Sequence, residues 1–410
     1  MRFSNRVSFE DKPNRLSLLL AEKRASNAAV IDLTESNPTR IGLDYPSELL
    51  PALAQSSSLQ YRPVPSGSLE ARQAIAAYYS ERGARVNPDN VILSASTSEA
   101  YSWLFKLVAG PDDLVLAPRP SYPLLDYLAA LESVQLDRYP LYHDGAWHPD
   151  FDQLQASITE NTHAVVCVNP NNPTGSYFNI DEWQRLSGIA IRRSVALIVD
   201  EVFSDYSLHA SPADWRDPIA GSSSRSGLLE TVAGRHDCLN FVLNGFSKML
   251  CLPQMKLGWI VVQGPQRERQ DACRRLEWIA DTFLSVNTPV QNAAGSWLTY
   301  RKQIQSQVAH RISRNYSFLR DAAEGSPCSV LHVQGGWYAV LQIPDNMSEE
   351  EWVLLLLRQD NVLVHPGYFF DFEREAFLIL SLLPPPALFE EGVSKMMGRI
   401  RTISGENLNT

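Results

Sequence analysis

The amino-acid sequence predicts an α/β protein: a large domain on a mostly parallel seven-stranded sheet, followed by a smaller α+β C-terminal domain. From about residue 45 to residue 285, short apolar runs alternate with longer amphipathic stretches, the pattern of strands joined by helices. The alternation stops at Asn287-Thr288-Pro289, where a longer helical stretch begins. At 410 residues the chain also exceeds the size that one hydrophobic core usually covers.

The elements follow from these patterns. Apolar runs predict the strands of the large domain: Val91 to Leu93, Leu114 to Ala117, Val134 to Tyr139, Ala164 to Val168, Val195 to Val199, Asn240 to Leu243 and Leu257 to Val262. The helices predicted between them are Glu99 to Val108, Leu124 to Leu131, Ile180 to Ile191 and Gln266 to Thr282. Parallel strands need such crossover connections.

The C-terminal part is predicted to mix helices and strands. In order these are a helical stretch at Val290 to Ala323, strands at Val330 to Val333 and Trp337 to Ile343, a helix at Glu349 to Arg358, strands at Val362 to His365 and Phe377 to Leu382, and a helix at Leu388 to Ile403. We therefore expect an N-terminal arm that joins the small domain (residues 1–44), a large domain (45–289) and a small domain (290–410). The serine-rich stretch between Ser211 and Arg235 predicts a surface loop, with a lid as the alternative.

Two strand ends carry residues that suit one chemistry. Asp200 ends the run Val195 to Val199, and Lys248 follows the run that ends at Leu243. A lysine that forms a Schiff base and a carboxylate that faces a ring nitrogen are what pyridoxal phosphate (PLP) requires. Either residue alone would be weak support for this cofactor.

Two further strand ends favour a ligand at the same edge of the sheet. Asn169-Pro170-Asn171-Asn172-Pro173-Thr174-Gly175 must turn sharply after its strand, because prolines and glycine cannot continue it. Ser94-Ala95-Ser96-Thr97-Ser98 precedes a helix, where hydroxyls and free N–H groups bind anions such as phosphate. Open α/β sheets bind ligands along this edge.

With these motifs in order, the chain resembles the class I and II aminotransferases, the fold type I family of PLP enzymes, from about Asp32 to the last helix. The matching segments are Leu33 to Pro38, Tyr61-Arg62-Pro63 with Gly67, Ser96-Thr97-Ser98-Glu99-Ala100, Pro120-Ser121-Tyr122-Pro123, the NPNNPTG turn, Asp200-Glu201-Val202, Ser247-Lys248, Gly258-Trp259, Gly335-Gly336-Trp337-Tyr338 and Pro366-Gly367. The resemblance implies a dimeric enzyme that moves an amino group between an amino donor and an oxo acceptor.

The resemblance also implies roles for single residues. Lys248 would hold PLP and move the proton, and Asp200 would keep the ring nitrogen protonated. Asn172 would bind the ring 3-oxygen, Tyr122 would stack on the ring, and Tyr61 would reach the phosphate of the neighbouring subunit. The implied phosphate ligands are Ser96, Thr97, Ser247 and Lys256, and the tentative substrate-loop residues are Ser36, Asn37 and Arg40. No metal site is expected.

Four positions depart from the family pattern. Phe203 replaces a tyrosine that bonds the ring oxygen, and Gly245 replaces a serine near the phosphate. Lys256 replaces an arginine, so it can neutralise the phosphate without the planar fork of a guanidinium. Ile379 stands where the family places the arginine that binds the substrate α-carboxylate.

The missing arginine leaves the substrate class open. A buried carboxylate without a partner costs several kcal/mol, so another cation replaces the arginine or the substrate lacks a carboxylate there. Arg40 and Arg374 are the candidates for a replacement. Decarboxylation or elimination at the same cofactor is an alternative reaction, and a non-catalytic PLP-binding regulator is a less favoured one.

Composition limits the partners. The net charge is −10, with no basic cluster of the kind that binds nucleic acid. No apolar stretch is long enough to cross a bilayer. The five cysteines lack a C-x-x-C spacing, which is typical of buried thiols in a reducing cytoplasm. We expect a cytoplasmic enzyme with no membrane or nucleic-acid partner.

Overall fold

The fold is known from a computed structural model, which describes residues 3–7, 12–208, 227–374 and 376–405. Its strands are β1 (Ile31–Asp32), β2 (Val91–Ser94), β3 (Leu114–Arg119), β4 (Gln135–His143), β5 (Trp147–Pro149), β6 (Thr162–Val168), β7 (Ala196–Asp200), β8 (Asn240–Gly245), β9 (Gly258–Gln263), β10 (Ser329–Val330), β11 (Tyr338–Gln342), β12 (Val362–Leu363), β13 (His365–Pro366) and β14 (Phe377–Ser381). Its α-helices are α1 (Arg15–Ala25), α2 (Leu69–Glu81), α3 (Thr97–Val108), α4 (Leu124–Glu132), α5 (Phe151–Ser157), α6 (Ile180–Arg193), α7 (Phe246–Met249), α8 (Gln266–Phe283), α9 (Thr288–Thr299), α10 (Arg301–Ala323), α11 (Glu349–Leu355) and α12 (Pro386–Ile403).

The large sheet has the strand order β2-β9-β8-β7-β6-β3-β4-β5. Strands β4, β3, β6, β7 and β8 run parallel to one another, whereas β9 runs antiparallel to both β8 and β2. The seven predicted strands are confirmed. The prediction of seven was one too few, because Gly145 turns the chain and short β5 pairs antiparallel with β4.

Both faces of the large sheet are buried. In β7, Leu197 and Val199 belong to one apolar cluster, while Ala196 and Ile198 belong to another on the opposite face. Burial on both faces explains why these strands are continuous apolar runs without polar alternation. The parallel strands therefore end together at one edge, where the polar residues collect.

The second sheet is small and antiparallel, with the order β10-β11-β14-β13. The N-terminal segment packs with it: β1 pairs with β12, and Arg15 of α1 forms a 2.9 Å ion pair with Glu350. The N-terminal segment therefore contacts the C-terminal part of the chain, as an arm that joins the small domain would. The domain boundaries remain a prediction.

Two of the predicted elements are divided in the structure. The helical stretch Val290 to Ala323 breaks at Tyr300, because the helices on either side are anchored to different parts of the chain. Trp297 donates to the Leu49 carbonyl at 2.8 Å, and Arg301 binds Glu81 at 2.8 Å. The predicted strand Val362 to His365 divides into β12 and β13, which pair with β1 and β14 respectively.

Most of the predicted loop between Ser211 and Arg235 lies outside the described residues. Across the part of the chain that the structure describes, no helix combines the length and apolar character that a membrane span needs.

Candidate active site

The carboxyl edge of the large sheet brings Asp200 and Lys248 together. Asp200 ends β7 and pairs with Leu243 of β8, which leads directly into the short helix α7 with Lys248. The two side chains lie close enough for each charge to change the pKa of the other. This proximity is the pairing predicted from the sequence.

Lys248 is covered by aromatic rings. Its Nζ lies 5.6 Å from the centre of the Phe203 ring and 5.1 Å from that of Trp337. Burial lowers the pKa of Lys248, although the nearby Asp200 carboxylate opposes this effect. A lysine with a lowered pKa is a better nucleophile at neutral pH, because a larger fraction of its side chain is present as the neutral amine.

Asp200 is held by two donors. The Tyr101 hydroxyl donates to Oδ2 and the Val202 N–H donates to Oδ1, each at 3.1 Å. Burial raises the pKa of Asp200 to about 6, against the lowering effect of these two hydrogen bonds. A buried carboxylate in this setting favours a cationic partner such as a protonated ring nitrogen.

The N-terminus of α3 forms an anion cradle. Ser96 is the N-cap, and its Oγ accepts the Glu99 N–H at 3.1 Å. Gly258 lies directly behind, where a Cβ would come within 3.1 Å of the Thr97 nitrogen. The absence of a side chain at Gly258 therefore lets the cradle pack against β9.

The turn after β6 presents Asn172 to the same edge. Asn169 and Asn171 are held by the chain itself: Asn169 Nδ2 donates to the Leu229 carbonyl at 2.8 Å, and Asn171 Nδ2 donates to the Pro120 carbonyl at 3.1 Å. The Asn172 side-chain oxygen is buried without a hydrogen-bond partner among the described residues. Such an amide requires a ligand to complete its hydrogen bonding.

Tyr122 lies at this edge, whereas Tyr61 is exposed. Burial and the Asp200 charge raise the pKa of Tyr122, which places its hydroxyl near Asp200. Tyr61 is 79% exposed, and in the described structure it has no hydrogen bond or ring contact to the other predicted residues.

The predicted substrate loop reaches the site only in part. The Ser36 side chain is hydrogen-bonded to Tyr338, and the Ser381 hydroxyl donates to the Glu35 carbonyl at 2.7 Å. Asn37 instead caps a short turn, where its Oδ1 accepts the Thr39 N–H at 3.0 Å. The side chain of Arg40 is 73% exposed and lies 3.8 Å from Glu35, and its contact with substrate remains a prediction.

A glycine-containing segment joins the small sheet to the site. The Gly335 N–H donates to the Gly175 carbonyl at 2.9 Å, and the Gly336 N–H donates to the Tyr206 carbonyl at 2.8 Å. A Cβ on Gly175 would lie 2.5 Å from the Gly335 oxygen, so the two segments interlock. This contact positions Trp337 over Lys248.

Comparison with known proteins identifies the fold and the family. The sequence profile of the family described as "Aminotransferase class I and II" matches residues 28–393. The glutamate-pyruvate aminotransferase AlaA of Haemophilus influenzae is 26% identical over 381 residues, which cover 90% of this chain and 89% of that protein. The alanine aminotransferase of Mycobacterium tuberculosis is 26% identical over 376 residues, covering 89% and 84% respectively. The structure of the alanine aminotransferase from Pyrococcus furiosus matches with a TM-score of 0.85 and 23% identity over 98% of this chain and 100% of that one.

The chain belongs to the class I and II aminotransferase family. It is a PLP-dependent aminotransferase, and the fold predicted from the sequence is confirmed. The residues at the sheet edge fit the cofactor: the carboxylate of Asp200 matches a ring nitrogen, and the N–H groups of the α3 cradle match a phosphate.

The structure explains one departure of this aminotransferase from the family pattern. A Cβ on Gly245 would lie 2.8 Å from the Leu257 oxygen and 2.9 Å from Gly258 Cα. The serine that the family has at this position does not fit, because β8 and β9 approach too closely.

The two other predicted phosphate ligands differ in exposure. Ser247 is half-buried, and Lys256 is exposed at a positive φ of 56°.

Ile379 is fully buried on β14. It packs in a cluster with Trp147, Leu331, Val340 and Phe370. Arg374, one of the two candidate replacements for the family's arginine, is exposed. The position of the missing arginine is therefore filled by an apolar cluster.

Sequence reasoning missed several residues of this aminotransferase site. The motif Gly335-Gly336-Trp337-Tyr338 indicates no role for Trp337 or Tyr338, and no motif includes Tyr101. Tyr101 lies four residues after Thr97, one helical turn along α3, so helical periodicity points it towards the same sheet edge. Tyr206, whose hydroxyl donates to the Lys248 carbonyl at 2.7 Å, carried no sequence signal.

A buried polar network lies behind the loop that follows Asp200. Arg82 donates to the carbonyls of Ser204 and Glu230 at 3.1 Å and 3.0 Å, and it lies 3.6 Å from Asp205. Glu201 accepts the Val232 N–H and the Thr231 hydroxyl, each at 2.7 Å. These contacts fix the loop from the side opposite Lys248.

The Glu201 carboxyl should make the stability of the cofactor-free protein depend on pH. Burial raises the pKa of Glu201 from 4.5 to about 7, although Arg82 lowers it. Between these values the folded state keeps a proton that the unfolded state loses, so the free energy of unfolding falls as pH rises. We expect Glu201→Gln to flatten this decline by up to about 1.4 kcal/mol per pH unit. Urea unfolding at several pH values measures how the free energy of unfolding changes with pH. The control is Glu160→Gln, because Glu160 is exposed. If the free energy of unfolding depended on pH equally in both variants, the prediction would be wrong.

Proposed function

We propose that this aminotransferase holds PLP through a Schiff base at Lys248 and pairs the ring nitrogen with Asp200. The observation that supports this most directly is the burial of both groups at neighbouring strand ends, each within range of the other's charge. When bound, PLP supplies an aldehyde that condenses with amines and a ring that accepts electrons.

The side chains of the site divide the remaining tasks. Lys248 Nζ takes the proton from the amino-bearing carbon of the substrate, which its lowered pKa favours. Phe203 and Trp337 exclude water around Nζ, and Tyr122 packs on the ring. Asn172 donates to the ring oxygen through its side-chain Nδ2.

The phosphate is assigned to the α3 cradle. Ser96 and Thr97 present a hydroxyl and free backbone N–H groups at the helix N-terminus, and Ser247 adds a second hydroxyl. Lys256 supplies a positive charge without the two parallel bonds of an arginine. The proposed substrates are an amino donor and an oxo acceptor.

A homodimer would place Tyr61 in the neighbouring site. In support, Tyr61 is 79% exposed, and Leu59 and Leu50 on the same segment are 91% and 67% exposed. Apolar side chains exposed in one region are typical of an interface. The five cysteines are free thiols, which suits the proposed cytoplasmic location.

Lys248→Ala tests the covalent assignment. We expect loss of the visible absorption band of the lysine-bound cofactor together with loss of turnover, because the condensing amine is removed. Absorption spectra and a half-reaction assay measure the two effects. A band that persists near neutral pH in this variant would show that another lysine carries PLP.

Asp200→Asn tests the ring-nitrogen role. The amide retains the shape of the carboxylate and can still accept from Tyr101, but it cannot stabilise a positive ring nitrogen. We expect PLP to bind while the rate falls by roughly three orders of magnitude, about 4 kcal/mol in the barrier. A rate within tenfold of the wild type would refute the role.

Subunit mixing tests the dimer. Tyr61→Phe should weaken PLP binding roughly tenfold through the loss of a hydrogen bond to a charged group. In a heterodimer of a Tyr61→Phe chain and a Lys248→Ala chain, one site then has an intact Lys248 and a Tyr61 from its partner. We expect that site to bind PLP with wild-type affinity in a spectroscopic titration. If Tyr61 acted within its own chain, the mixture would show no intact site.

A further inference from the structure

One face of the small sheet packs against the aromatic cover of Lys248 through Tyr338. Tyr338 lies directly opposite Ser381, and Val340 lies opposite Ile379 across β11 and β14. On the other side, His365 of β13 also lies opposite Ile379. Residues that face each other, or that are two apart along a strand, share one face of the sheet. These five side chains therefore form a single surface.

Tyr338 connects this face to the reacting groups. Its ring centre lies 6.2 Å from that of Phe203, whose ring covers Lys248 Nζ. Its hydroxyl is hydrogen-bonded to Ser36, and the Tyr122 hydroxyl lies near enough to affect its pKa. Tyr338 therefore links this face to the site, and Ile379 lies buried behind it on the neighbouring strand.

The surface is uncharged. Ile379 is fully buried among apolar side chains. His365 lies 5.7 Å and 5.9 Å from the ring centres of Phe369 and Phe370, and burial lowers its pKa despite the opposing charge of Asp32. Burial likewise raises the pKa of Tyr338, so at neutral pH both titratable groups of the surface are neutral.

The arginines that border this region are engaged elsewhere. Arg119 binds Glu373 at 3.0 Å, and Arg138 binds Asp126 at 2.6 Å. Arg138 also lies 3.2 Å from Asp371, which follows Phe370 directly.

Two further arginines border the substrate loop. Arg311 donates to the carbonyls of Ile41 and Leu383, and the side chain of Arg40 is 73% exposed.

We propose that the preferred amino donor carries no carboxylate on its amino-bearing carbon, so that it is a primary amine with an apolar or neutral polar group facing Tyr338, in front of the buried Ile379. A carboxylate placed there would be desolvated without a cation, which is strongly unfavourable. The donor leaves as an aldehyde or ketone: its carbon–nitrogen bond is broken, its nitrogen stays on the cofactor, and water supplies the oxygen. The proposal rests on the proposed function, in which Lys248 and PLP carry the transfer.

Matched pairs of donors test the substrate class. Phenylalanine and 2-phenylethylamine differ only in the α-carboxylate, as do alanine and ethylamine, or lysine and cadaverine. We expect kcat/KM of the first half-reaction to favour the amine at least tenfold in each pair that reacts. A consistent preference for the amino acid overturns the inference and leaves the proposed aminotransferase function intact. Failure of the donors together with absence of the lysine-bound cofactor band would instead overturn the proposed function.

The variant Ile379→Arg tests the position itself. The added guanidinium should shift the ratio towards the amino acid by at least tenfold, whereas Ile379→Met should leave it unchanged. If the arginine variant leaves the ratio unchanged while it folds, position 379 does not set specificity and the inference fails.

A binding measurement makes the test independent of turnover. Thermal unfolding of the cofactor-free protein would be recorded with 3-phenylpropanoate or 3-phenylpropanol, with inorganic phosphate present to fill the α3 cradle. We expect the acid to stabilise Ile379→Arg but not the wild type, because only the variant offers it a cation. Stabilisation of the wild type by the acid, abolished in Arg40→Met or Arg311→Met, would show that another arginine binds the carboxylate and would overturn the inference.

Discussion

The burial of two opposite charges at adjoining strand ends is the constraint on which the site depends. Asp200 and Lys248 are removed from water by Tyr101, Phe203 and Trp337, and burial moves both pKa values towards neutrality. Neither charge is compensated by a tight ion pair in the described structure. The site is therefore held ready for a ligand that presents an aldehyde to one group and a basic nitrogen to the other.

Buried hydrogen bonds hold the loop that follows Asp200 and so keep the aromatic side chains of the site in place. The loop after Asp200 carries Phe203 and Tyr206, and Arg82 holds its backbone at Ser204 from the C-terminal end of α2. Glu201 fixes the adjoining segment through Val232. A buried arginine with several hydrogen bonds positions a loop more rigidly than exposed ion pairs can, since water does not compete for its donors.

The sequence was sufficient for seven of the eight strands described in the large sheet and for the positions of the residues at its edge, because apolar runs and turn residues are local signals. Lys248, Asp200, Asn172 and Ser96 lie where those signals indicate. Features that depend on contacts between distant segments could not be predicted from the sequence. Examples are the exclusion of a serine at Gly245 by β9 and the exposure of Arg40. The break at Tyr300 is of the same kind, because it follows from anchors at Leu49 and Glu81.

The interlocked glycines also determine how the two sheets can shift relative to each other. Gly335 and Gly336 are hydrogen-bonded to two separate loops of the large sheet, and Gly175 leaves no room for sliding. A rotation about this point preserves those bonds, whereas a translation breaks them. The joint therefore ties the position of Trp337 to the two loops that follow β6 and β7, so any change in the angle between the sheets must leave this indole near the lysine.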